Sequence, residues 1–311
     1  MPLNGGGTAG KPAGTTAVPN TTIASTPYNS VIDDIYNIFN TPRPVVYGGT
    51  GAADAAGART NLGLTTGTFG FLYGLTLSNN ATDATNDIDI SVGTAAEQDV
   101  ANPTLMTLAS AITKRLDAAW AVGSGNGGLD TGSIANTTYH VWLIQRSDTS
   151  VVDVLFSTSA TAPTMPANYD RKRRIGSIIR ESTAIVRFYQ TGDVFLREPS
   201  NSTLSTAAIP STSATIGVPG GIAVRPILAW QVICGASANV ATFVGSFARG
   251  SANTQLQSLN VPASSSAADI STFDFITTGT SSQIYIAQVV ASGTITQSVL
   301  ITNGWIDSRG K

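Results

Sequence analysis

Apolar positions follow two different rhythms along this chain. Between Ser25 and Asn40 they recur at three- and four-residue spacing, so that Tyr28, Val31, Ile32, Ile35, Ile38 and Phe39 share one face of an expected helix. Ser25 or Thr26 offers an N-cap, Pro27 sits near the first helical position, and Asp33 and Asp34 follow soon after. Thr41-Pro-Arg-Pro44 ends the pattern, because the residue before each proline is pushed out of the α region. The neighbouring segments are rich in Gly and Pro and hold little that could cover the stripe. This face is therefore expected to bury itself against copies of itself or another protein.

From about residue 67 the rhythm changes to short runs of β type. Gly70–Ser78, Asp87–Val92, Thr138–Gln145, Val151–Ser157, Arg174–Arg180 and Ala184–Gln190 are separated by turn-rich pieces such as Ser147–Ser150 and Gly192-Asp193. A second set includes Pro226–Ile233, Ala241–Phe247, Thr272–Ile276, Ser282–Gln288 and Ser298–Ile301, closing with Gly304-Trp-Ile-Asp307. Regular short strands with turn punctuation indicate antiparallel β-sandwich-like domains rather than an α/β fold. The stretch 103–120 reads both ways. Leu105, Leu108, Ile112, Leu116 and Trp120 have helical spacing behind Asn102-Pro103, yet Met106–Thr113 alternates, and the β context favours strands.

Between the two rhythms lies Tyr47–Leu64, a Gly-rich approach to a small-residue helical turn. The turn is expected from about Asp54 to Leu62, with Gly63 at the position past a helix end that favours positive φ. Its only sizeable apolar side chains are Leu62 and Leu64, so it reads as a junction and not as a domain. The expected organisation is thus an attachment arm with helix over 1–46, the junction over 47–66, a first β-rich domain over 67–198, a Ser/Thr-rich linker over 199–215 and a distal β-sandwich over 216–311. Residues 1–24, nearly free of large apolar groups, are expected to order only on a partner.

Composition narrows the function. Charged residues are 12% of the chain, about half the ~25% of ordinary soluble domains. Ser, Thr, Asn, Gln and Gly supply the polarity instead, giving a surface that hydrogen-bonds neutral partners such as sugars. A net charge of −2 speaks against a nucleic-acid partner, which needs a basic face to displace counterions. No apolar run approaches the ~20 residues needed to span a bilayer, so no membrane insertion is expected, and the N-terminus lacks a secretory leader pattern. The single cysteine, Cys234, lies in the apolar run Ile227–Cys234 and reads as a buried, inert thiol.

The inventory for chemistry is poor. Any serine-hydrolase or zinc mechanism would rest on the one histidine, His140, which in an alternating strand shares a face with Trp142 and Ile144. It reads as a satisfied or half-buried strand histidine and not as a catalytic one. Asp83, Asp87 and Asp89 bring oxygen ligands together but lack the spacing of a calcium loop, and read as a polar loop entering a strand. The charge cluster Asp170-Arg-Lys-Arg-Arg174 reads as a solvated strand start or an inter-subunit salt-bridge patch. The acidic pair Asp33-Asp34 lies in the helix, away from any cleft that could hold a glycosidic bond. No Gly-rich run matches a phosphate loop in full. No catalytic residue, cofactor or metal site is assigned.

Three stretches resemble a family of bacteriophage tail-fibre and related virion appendage proteins. They are the junction Gly48–Leu64, the run Gly128–Trp142, and Leu155–Ser177. Gly304–Gly310 is also similar to the way such β domains end. The resemblance implies an elongated homotrimer, located in the virion and assembled in the host cytoplasm. The N-terminal arm would attach it to other tail, baseplate or capsid proteins, and the outward β domains would meet a host surface glycan or protein. Contact groups are expected on loops between about 235 and 304. The alternatives are a capsule-degrading tailspike-type enzyme and a head-fibre or baseplate adaptor without receptor binding.

Overall fold

The computed structural model describes residues 20, 22, 25–40, 49–63, 70–98, 103–205, 209–234, 238–251, 254–261, 266–272 and 276–310. They fall into two compact units, Met1–Thr68 with Ala101–Pro103 and Phe69–Val100 with Thr104–Lys311. The arm over residues 1–19 and the Thr41–Pro44 stop lie outside the described residues.

Among the described residues the first unit holds two helices. Helix α1 spans Ser25–Asn40, as the three-and-four spacing predicts, and helix α2 spans Ala55–Asn61. Asp54 caps α2 by accepting a hydrogen bond from the Gly57 amide at 2.7 Å, which satisfies one of the free first-turn donors. Past its end, Gly63 takes φ +70, the left-handed conformation expected of it. The Asn61 side chain then donates to the Thr50 carbonyl at 2.9 Å and folds the Gly-rich approach back onto the turn.

The second unit is built from strands. In chain order they are β1 (Leu72–Gly74), β2 (Leu77–Asn79), β3 (Asp87–Ile90), β4 (Gly93–Ala96), β5 (Leu105–Leu108), β6 (Ile112–Ala119) and β7 (Gly127–Leu129). Next come β8 (Thr138–Gln145), β9 (Val152–Ser157), β10 (Arg171–Glu181), β11 (Ala184–Ile185), β12 (Arg187–Thr191) and β13 (Val194–Ser205). The last are β14 (Ile209–Thr215), β15 (Arg225–Cys234), β16 (Ala238–Gly245), β17 (Thr254–Val261), β18 (Ser266–Thr272), β19 (Gln283–Ser292) and β20 (Ile295–Ile306). The ambiguous 103–120 stretch is therefore β5 and β6, where the alternating pattern prevails because β5 pairs with β4, and β6 with β3 and β7.

Four sheets result. A three-stranded sheet runs β1-β4-β5, and an eight-stranded one β11-β10-β8-β9-β7-β6-β3-β2. A five-stranded sheet runs β12-β13-β20-β15-β18 and a four-stranded one β14-β19-β16-β17. Pairing is antiparallel except where β7 lies parallel to β6 and β9. The five- and four-stranded sheets form a sandwich: Leu228, Trp230, Val232 and Leu300 of one and Val240, Val244, Ile284 and Ile286 of the other share a single buried core. Ser298 joins the two layers, accepting from the Trp230 indole at 2.7 Å and the Gln288 amide at 2.8 Å.

Two expected boundaries are corrected. The stretch 199–215 is not a linker: β13 runs through Ser205, and β14 pairs with β19. Its Ser and Thr residues misled because β14 is an edge strand with mostly exposed side chains, where polar, β-branched residues suit the pleat. Nor do 67–198 and 216–311 separate, since β13 pairs with the last strand, β20, and Phe195 stacks on Trp305 at 5.4 Å. Gly304 allows this approach, because a Cβ there would stand 2.1 Å from the Phe195 carbonyl oxygen.

Strand β8 is buried on both faces. Tyr139, Val141 and Leu143 enter the main core, while Trp142 and Ile144 pack with Leu155 and Tyr169 on the other side. Beneath that second cluster lies an ion pair between Lys114 (side chain 0% exposed) and Asp153 (1%), 3.0 Å apart. The Lys114 ammonium also donates to the carbonyls of Ala121 (2.6 Å) and Gly123 (3.1 Å), and Asp153 accepts from the Gly123 amide at 2.7 Å. Burial lowers the Lys114 pKa, and the Asp153 charge and hydrogen bond oppose that shift. A buried pair is costly to break from one side, because the remaining charge is stranded. Lys114→Met alone should therefore lower the unfolding free energy by about 3–5 kcal/mol in urea titrations, and adding Asp153→Leu should recover much of that loss. A double variant as unstable as the single one would show that the packing around the pair, and not its charge, is what matters.

Candidate functional site: an open polar cleft and the exposed face of α1

Four chain segments that are far apart in sequence converge on an open cleft of about 490 Å³. They are 136–138 at the entry to β8, 179–182 at the end of β10, 215–220 after β14, and the 281–282 turn before β19. Hydrogen bonds stitch them together. The Gly220 amide donates to the Thr138 hydroxyl at 2.9 Å, and the Ile216 amide donates to the Ser282 carbonyl at 2.9 Å. The Ser282 hydroxyl donates to the Val218 carbonyl at 3.0 Å. Asn136 Oδ1 accepts from the Thr183 amide at 3.0 Å and from Arg180 Nη1 at 2.9 Å. Three non-glycine residues here take left-handed φ: Ser182 (+47), Thr183 (+70) and Ser282 (+58). For β-branched Thr183 this is a costly conformation, held in place by the Asn136 contact.

The cleft wall rests on His140. The residue is fully buried on the Trp142–Ile144 face of β8, where the alternation of the strand predicts it. Its Nδ1 lies 2.9 Å from the Ser177 hydroxyl, which also accepts from Arg174 Nη1 at 3.3 Å. Arg174 in turn grips Asp307 with both terminal nitrogens. On the far side of the ring, Gly221 packs so closely that a Cβ would stand 2.8 Å from Nε2. Gly221 takes φ +82, so both its conformation and the lack of space require glycine there. No Asp–His–Ser relay is present at this point: Ser177 is buried and its hydroxyl is shared between His140 and Arg174.

Of the acidic candidates, Asp83 and Asp89 have structural partners, while Asp87 Oδ1 is buried with no hydrogen-bond partner among the described residues. Asp83 Oδ1 accepts from the Thr85 and Asn86 amides, and Asp89 Oδ1 from Asn80 and Thr113, which makes them turn and cross-strand anchors. Among the described residues no three His, Cys, Asp or Glu side chains gather as a metal-binding set. The 170–174 cluster is corrected only at its end: Asp170 is exposed and Arg171 and Lys172 are half-buried, but the last two arginines are not solvated. Arg173 and Arg174 are buried, and Arg173 Nη2 donates to the carbonyls of Arg309 (3.1 Å) and Gly310 (2.9 Å) while Arg174 holds Asp307. Sequence reading missed this because the partners lie more than 130 positions away. The Cys234 side chain lies outside the described residues.

In the first unit, α1 leaves its described apolar residues at least partly exposed. Tyr28 is 58% exposed, and Val31, Ile32 and Ile35 are half-buried. No described side chain of the helix is buried. The side chains of Ile38 and Phe39 lie outside the described residues.

Burial, and then the Arg174 charge, lower the His140 pKa from 6.5 to about 4, with Asp307 opposing. Between those values the unfolded chain binds the extra proton and the folded one does not, so stability falls as pH drops from 6.5 to 4 and is flat with respect to this group above 6.5. The shift corresponds to roughly 3 kcal/mol. The stability advantage of the wild type over His140→Gln should therefore shrink by about that amount between neutral pH and pH 4, measured by denaturant titration at each pH. A constant difference would show that His140 is not buried as the neutral form.

No family model and no curated protein matches the chain. Among solved structures, that of the infectious bursal disease virus Gx strain aligns over 75% of this chain and 69% of its own, at 10% identity and a TM-score of 0.16. The crystal structure of the VP2 subviral particle of the same virus aligns over 75% and 70%, at 11% identity and a TM-score of 0.13. Superpositions this loose carry neither fold nor function to the chain.

Proposed function

We propose that this chain is a structural protein of a phage particle, a tail fibre or other fibre that attaches through its N-terminal arm and presents its β-rich unit to the host surface. One observation carries the reading: a sixteen-residue amphipathic helix, α1, has no buried side chain among those described. An isolated helix of this length is marginal in water, and most helical stability comes from packing an apolar face. Tyr28, Val31, Ile32 and Ile35 therefore require a partner, and the helices of two further copies in a homotrimer supply one of matching chemistry. The low charge of the chain suits a particle surface. The similarity of the Gly48–Leu64, Gly128–Trp142 and Leu155–Ser177 stretches to virion appendage proteins supports the same assignment.

Light scattering of the full-length protein should give three chain masses. Ile32→Asp with Ile35→Asp, which places two charges on the stripe, should release monomers without lowering the unfolding temperature of the β unit. A monomeric wild type would overturn the proposal, and a trimeric double variant would remove α1 from the assembly.

A further inference from the structure

We propose that the cleft between the entry to β8, the end of β10 and the loop after β14 binds a neutral saccharide. The proposal rests on the reading of the chain as an adhesin, and it names the site and ligand chemistry that adhesion would use.

Of the charged groups around the cleft, Glu181 is ion-paired within the protein, and Arg180 is held by neutral partners, its Nε buried with none among the described residues. Arg180 directs Nη1 to Asn136 and Nη2 to the Thr183 carbonyl at 2.7 Å. Glu181 is paired with Arg197 at 2.8 Å, and Arg197 also donates to the Gly217 carbonyl at 2.8 Å. An incoming phosphate or carboxylate would meet the part-exposed Glu181 carboxylate on the same wall, which opposes a second negative charge there. The large apolar side chains of the cleft, Ile179, Ile216 and Val218, are already buried beneath its surface.

What the cleft does offer is uncommitted hydroxyls. Thr137, Ser182, Thr215 and Ser281 are exposed on its walls, and their hydroxyls have no partner among the described residues. Each can donate one hydrogen bond and accept others, as the hydroxyls of a sugar do in return. Asn136, whose Oδ1 is occupied, keeps its Nδ2 donors for a ring oxygen or an acetamido carbonyl. The walls are cross-linked by the bonds from Gly220, Ile216 and Ser282, so little ordering entropy is lost on binding. The volume of about 490 Å³ lies within the usual range for small-molecule sites.

Saturation-transfer difference NMR on the full-length protein, with maltose, lactose, cellobiose and N,N′-diacetylchitobiose as probes, tests the assignment. At least one probe should receive saturation from the wild type. Thr137→Trp and Ser281→Trp, both at exposed positions, should abolish that transfer at an unchanged unfolding temperature, and Ser281→Ala should weaken it roughly five- to tenfold. Transfer to none of the four probes, or transfer that survives both tryptophan variants, would overturn the proposal. Competition by inorganic phosphate at comparable concentration would overturn its neutral character. The mass of the assembly is read separately, so a cleft that binds no sugar leaves the fibre reading standing, and a monomeric chain leaves the cleft to be judged on its own.

Discussion

The β-rich unit depends on its last strand lying between two much earlier ones. Strand β20 pairs with β13 on one side and β15 on the other, so the five-stranded sheet does not exist until the chain is nearly complete. Buried electrostatics then secure its end. Arg174 holds Asp307 through two charge-assisted hydrogen bonds, Arg309 pairs with Asp193 at 2.9 Å, and Arg173 fastens the carbonyls beyond. Each of these groups would be expensive to bury alone. Together they fasten the C-terminal tail to β10 and to the turn before β13, beside the core that the N-terminal and C-terminal β regions share.

The same network reaches the surface. Arg174 also bonds Ser177, Ser177 holds the His140 ring, and the ring supports Gly221 behind the cleft loop. The cleft is thus backed by a continuous path of buried polar contacts from β20 through β10 and β8. Its rim includes turns with strained residues, of which Thr183 is held by the Asn136 side chain of a different segment. A site of this kind has its shape before any ligand arrives, and preorganised hydroxyls are what a weakly binding, fully solvated ligand requires.

Much of the local structure was legible in the residues. The spacing of Tyr28, Val31, Ile32 and Ile35 predicted α1, Asp54 and Gly63 marked the two ends of α2, and the alternation of 138–145 placed His140 beside Trp142 and Ile144. The cleft was not legible. Asn136, Arg180, Thr215 and Ser281 are ordinary loop and strand-end residues, and nothing in their local sequence signals that they meet. The expected contact range, 235–304, contributes only the 281–282 turn to it. The Ser/Thr-rich stretch 199–215 failed for a related reason: an edge strand needs no apolar face, so its composition matches that of a linker.

Local chemistry, which acts over a few residues, was enough for the sequence by itself to determine the helix with its apolar stripe, the capped turn of the junction, the mainly β character of the rest and the two faces of β8. Those features follow from side-chain periodicity and backbone preference. Only the tertiary structure decided that the two β regions form one unit, that the Arg173–Arg174 pair is buried against the C-terminal tail, and that four distant turns enclose a polar cleft. These outcomes depend on which strands pair across more than a hundred residues, and pairing at that distance is selected by the packing and charge balance of the whole core.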